Sequence, residues 1–132
     1  MTQQHDLLRR LRAVGLYGSD QEAGRILDTV LTMLGGQVVG EERCDLAAVL
    51  PEPARSTFAS QLPLVRPVAG PAFVEAVART LNCDLTSARW HTASVLAVLA
   101  EVGGETLTDR LVAQLPRSWA LLFGRADLTA AA

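Results

Sequence analysis

The sequence predicts an all-α protein of two similar helical units packed as one compact domain, and three observations carry that expectation. The first is composition. Of 132 residues, 49% are apolar and only 5% aromatic, so the core must be built from Leu, Val and Ala, a mixture that favours helices over sheets. The second is periodicity, because apolar residues recur at three- and four-residue steps in runs stopped by pairs of glycines. The third is repetition. "DLAAVLPEPARSTF" starts at Asp45 and "RLVAQLPRSWALLF" starts 65 residues later, at Arg110.

Sliding the chain by 65 residues sets Ala13, Leu16, Ala23, Val30, Leu31, Leu34, Leu46, Ala48, Leu50, Pro51 and Phe58 against identical residues. The shared positions are mostly apolar and the polar ones almost all differ. A duplicated unit that retains its packing scheme leaves that pattern. The expected organisation is a first helical repeat over residues 1–60, a Pro-rich linker over 61–70, a second repeat over 71–124 and a frayed tail over 125–132. Each repeat should hold three to four helices.

Taken in order, Asp6 to Val14 reads as a helix closed by Gly15. Ser19 and Glu22 then form a capping box, and Ala23, Leu27, Val30, Leu31 and Leu34 make the apolar stripe of a central helix that ends at Gly35 and Gly36. A third helix spans Glu41 to Leu50, with carboxylates at its start where the helix dipole favours them. Pro51 forces it to stop, since the residue before a proline is pushed out of the helical region. A short helix follows to Phe58. In the second repeat a helix opens at Pro71, which suits a first-turn position, and runs to Leu81. The central helix restarts at Thr86 or Ser87 and ends at Gly103 and Gly104, and the third runs from Thr106 to Leu115 before Pro116. Leu50, Pro51 and Phe58, with Leu115, Pro116 and Phe123, are the expected matching core corners.

The stretches "EAGRILDTVLTMLG", "VGEERCDLAAVLP" and "SARWHTASVLAVLAEVGGETLTDRLVAQLP" together resemble the bacterial two-repeat helical family known as domain of unknown function 2267. The resemblance runs from about Leu7 to Phe123. It implies an all-helical fold of two similar halves and a bacterial, actinobacterial, cytoplasmic origin, which the absence of lysine suits. It implies no activity.

Charge and chemistry narrow the function further. All twelve basic residues are Arg and the net charge is -2, so no cation excess exists to hold a phosphate backbone, and nucleic acid is not expected. Arg9, Arg10 and Arg12 read as a solvated helix face. The start "TQQHD" lacks the regions of a secretory signal, and "ASVLAVLA" falls short of the roughly 20 residues of a membrane span, so a cytoplasmic protein with no membrane association is expected. Cys44 and Cys83 read as free thiols. Glu101, Glu105 and Asp109 are spaced by fours, but Gly103 and Gly104 interrupt the helix between them. No Glu-x-x-His step suits a di-metal bundle. His91 aligns with Ile26 and is expected half-buried with a local hydrogen-bond partner, and Cys44 has only Arg43 beside it in sequence as the basic partner a nucleophilic thiol would need. No catalytic residue, cofactor or metal site is therefore expected.

Two functional classes remain. One is a non-catalytic helical interaction module that meets a protein partner or another copy of itself; the other is a small-ligand-binding protein with a pocket between the repeats. Trp90 and Arg25 are the candidate partner-binding residues. They occupy equivalent positions on the two central helices, nearly opposite the apolar stripe. Trp90 either packs against the linker or the other half, or stands exposed as a docking anchor.

Overall fold

The computed structural model describes residues 3–64 and 66–125. Among them are eight helices and no strand: α1 (Gln3–Gly15), α2 (Asp20–Leu34), α3 (Gly40–Val49), α4 (Ala54–Ala59), α5 (Gly70–Leu81), α6 (Leu85–Gly103), α7 (Glu105–Gln114) and α8 (Trp119–Leu122). No helix among these residues is long and apolar enough to cross a membrane. The bounds of α3 and α7 differ by 65 at both ends, and α2 and α6 start 65 apart.

The first helices depart from that offset. α1 and α5 each end in a left-handed residue, Leu16 (φ 59°) and Asn82 (φ 53°). Each end is closed by a backbone bond, Tyr17 N–H to Arg12 O and Cys83 N–H to Ala78 O, both 3.0 Å. Matching these closures sets buried Leu7 and Leu11 against buried Phe73 and Val77, an offset of 66 that follows from one residue fewer in the second turn. The sequence identities of Ala13 with Ala78 and Leu16 with Leu81 therefore have no structural counterpart. Leu16 is an exposed turn residue and Leu81 lies half-buried in α5.

Caps follow local chemistry. Ser19 Oγ accepts the Glu22 N–H at 3.1 Å, and the Glu22 carboxylate accepts the N–H of Gly18, one residue beyond the cap. α6 begins earlier than Thr86: Asp84 Oδ1 accepts the Ser87 N–H at 2.7 Å. A carboxylate at that place both caps and meets the positive end of the helix dipole. Leu50 and Leu115 are extended, at ψ 137° and 157°, as their prolines require.

The corner residues are only partly equivalent. Leu50, Pro51, Phe58 and Leu115 are buried, whereas Pro116 and Phe123 are half-buried. Trp119 supplies the missing volume. It is fully buried, its ring centroid lies 4.6 Å from that of Phe73, and its Nε1–H donates to Val68 O at 2.8 Å. Trp119 aligns with Ala54 and Phe123 with Phe58. The large buried ring thus stands four residues earlier in the second half, and Phe123, just past the end of α8, is left half-buried.

The halves share one core. α1 packs on α6 as well as on α2, α5 packs on α2 as well as on α6, and α3 lies against α7. Between α3 and α7, Arg110 reaches Asp45 at 2.8 Å and Glu42 at 3.0 Å, and the Gln114 side chain brackets both backbone groups of Val39. The segment between halves is tied to both: Leu64 N–H donates to Gly36 O and Val68 N–H to Gln37 Oε1 in the first half, while Val68 O accepts from Trp119 Nε1–H in the second. Of the expected tail, Arg125 pairs with Asp109; residues 126–132 lie outside the described residues.

Candidate functional site

The chemistry-bearing residues gather where the turn between α1 and α2 meets α6. Tyr17 is buried in this seam, and its hydroxyl lies 2.6 Å from His91 Nδ1. Burial pushes the phenol up to about 12, against a hydrogen bond from Ser94 and with a smaller contribution from the Glu22 charge. Burial also lowers His91, opposed by Glu22 and helped by Arg25. At neutral pH the phenol keeps its proton and the imidazole is neutral, so the two share one uncharged hydrogen bond. The hydrogen-bond partner expected for His91 is present, but it comes from the other half of the chain.

Trp90 is 48% exposed, with its Nε1–H donating to Gly15 O at 3.0 Å. The indole therefore does both things weighed from the sequence: one end is pinned on the opposite half and much of the ring remains open to solvent. Gly15 is obligatory here, because a Cβ on it would lie 2.2 Å from the Tyr17 ring. The next residue is Leu16, left-handed and 80% exposed. A leucine is a costly choice there, since its Cβ crowds the following carbonyl in that conformation and its side chain gains nothing from burial. Arg25 is exposed on α2, where its charge acts on His91.

The other singled-out residues are dispersed. Arg10 pairs with Glu101 across α1 and α6, and Arg12 with Asp20 at 3.1 Å, so the arginine run is braced by acids on other elements. Asp109 is held by Arg125. Cys44 is exposed and Cys83 intermediate. Arg43 is a structural clamp. Its guanidinium serves the carbonyls of Gly35, Val38, Ala59 and Gln61 and lies 5.2 Å above the Phe58 ring. In the sequence Arg43 stands out only as a neighbour of Cys44, and no local pattern announces carbonyls that far along the chain. No group of three or more His, Cys, Asp or Glu residues among those described could hold a metal.

Among the described residues, hollows open on the surface in the seam between the halves and within the second half. One, of about 330 Å³, lies between the halves and is lined by Gln3, Asp6, Arg10, Val49 and Glu101 among others. Another, of about 320 Å³, lies within the second half among α5, α6 and α8 and is mostly apolar; no sequence pattern pointed to it. A family model described as "Uncharacterized conserved protein (DUF2267)" matches residues 4–122. No curated protein matches the chain.

Proposed function

The chain belongs to the DUF2267 family of uncharacterized conserved proteins, and we propose that it is a non-catalytic helical interaction module that presents Leu16 and Trp90 to a protein partner. The observation that supports this reading is Leu16. An apolar side chain in a left-handed backbone, 80% exposed, is disfavoured by conformation and by hydration together, and backbone outliers of this kind concentrate at functional sites. The equivalent helix end carries Asn82, which tolerates the same backbone. Trp90 beside it is an aromatic anchor already fixed by its N–H bond, so little side-chain entropy remains to be lost on docking.

The reading includes a cytoplasmic location and a bacterial, actinobacterial source, supported by the all-arginine basic set. It includes no cofactor, and no nucleic acid or membrane partner. Replacing Leu16 by Asn tests it with opposite signs. L16N should raise stability by about 1 kcal/mol through relief of the left-handed strain, read as a higher denaturation midpoint. It should also lose the proteins that the wild-type chain captures from lysate, as should W90R. An L16N variant that retains those proteins would defeat the proposal. The second reading, a small ligand between the repeats, has the 330 Å³ hollow in its favour; a compound released from the native protein and displaced by R10A would support it.

A further inference from the structure

The cleft among α5, α6 and α8 has a floor of Val74 and Leu122, flanked by Leu85 on α6 and Leu121 on α8. The last two are 55% and 57% exposed. The duplicated chain supplies an internal comparison. Sixty-five residues earlier, Leu85, Leu121 and Leu122 correspond to Asp20, Ser56 and Thr57, so the fold accepts polar residues at these places. Arg89 corresponds to Gly24, and there Leu8 lies 3.8 Å from where a Cβ would stand. In the first half a leucine covers that glycine. At the offset of the first helices Leu8 matches Val74, whose shorter side chain leaves the hollow open. The second half has therefore acquired both an opening and an apolar lining that helix packing does not demand.

Its rim carries one acid and one base, Glu75 on α5 and Arg89 on α6. Both are exposed, and among the described residues neither makes an ion pair. A small anion entering the cleft would meet Glu75, and a cation would meet Arg89. A surface with protruding leucines, a hollow between them and one charge of each sign is complementary to itself. We infer that the occupant of this cleft is a second copy of the chain, related by a two-fold axis. Across that axis each Leu121 enters the other's hollow, and each Glu75 meets the other's Arg89. The reciprocal charges set the register, and the leucines supply the apolar contact.

Sedimentation velocity over about a thousand-fold range of concentration reads the association directly. The wild-type chain should dimerise reversibly. L121S, which installs the first half's residue, should weaken the dimer at least about tenfold. E75R and R89E should each fail to dimerise, because each faces like charges across the axis. Mixing E75R with R89E should restore the dimer, since both charge pairs are then opposite. This mixing result does not depend on how L121S folds, and helix content by circular dichroism checks each variant. A wild-type chain that stays monomeric throughout overturns the inference, as does a dimer that L121S leaves intact or that mixing fails to restore. None of these residues belongs to the Leu16–Trp90 surface, so the two proposals fail separately.

Discussion

At the scale of single residues, the Tyr17–His91 bond links stability to pH. Burial holds the His91 pKa below its ordinary value, and the neutral ring is hydrogen-bonded to the phenol. Between the folded value and the unfolded one, near 6.5, the unfolded chain binds more protons. The stabilisation is thus complete above about pH 6.5 and is lost as pH falls through that window. His91→Ile, which installs the residue found at Ile26, should remove this part of the acid-side loss; denaturation midpoints as steep in pH for the variant as for the wild type would contradict it. The buried indole gives a second prediction. Trp119→Ala should cost about 3–5 kcal/mol, and Phe123→Ala, at a half-buried edge, nearer about 1 kcal/mol. Equal losses in urea denaturation would restore Phe123 to the core corner that the repeat suggested for it.

Among the helices, α3 and α7 meet through charges that the repeat places at equivalent positions, Asp45 and Arg110. Arg110 also contacts Glu42, and these acids raise its pKa through hydrogen bonds to Asp45 and Glu42. Both ends of the pair are substantially open to water, so salt should screen it. Arg110→Asp should lower the thermal midpoint, less so in high salt. Adding Asp45→Arg should recover part of the loss by restoring opposite signs. A midpoint indifferent to either change would mean the helices are held by packing alone. Helix ends, by contrast, were legible one element at a time: Ser19 and Glu22 cap α2, and Pro51 and Pro116 end α3 and α7, each through groups within four residues.

For the whole molecule, reciprocal packing of α1 on α6 and α5 on α2 makes each half part of the other's core. A chain of residues 1–64 would leave the α6-facing sides of α1 and α2 in water, and isolated helices of their length are marginal. It should show weak helical circular dichroism and no cooperative melting transition. A sharp melt from that fragment would show that the halves are autonomous.

The amino-acid order by itself determined the all-helical fold, the Ser19–Glu22 cap of α2 and the two proline corners, because these depend on neighbours within a turn or on the spacing of apolar residues. It could not say which apolar residue of a helix meets which partner. Leu16 and Leu81 align as identical residues, yet one less residue in the second turn leaves the first exposed and the second half-buried in α5. Phe58 and Phe123 also align, yet in the second half the fully buried ring is Trp119, four residues earlier. Arg43 finds its carbonyls, His91 its phenol and Trp90 the Gly15 carbonyl only when segments distant in the chain are brought together. The cleft opens beside Val74, and its rim carries Arg89 where the first half has Gly24. Those outcomes depend on volumes filled jointly by several helices, and the tertiary structure alone decided them.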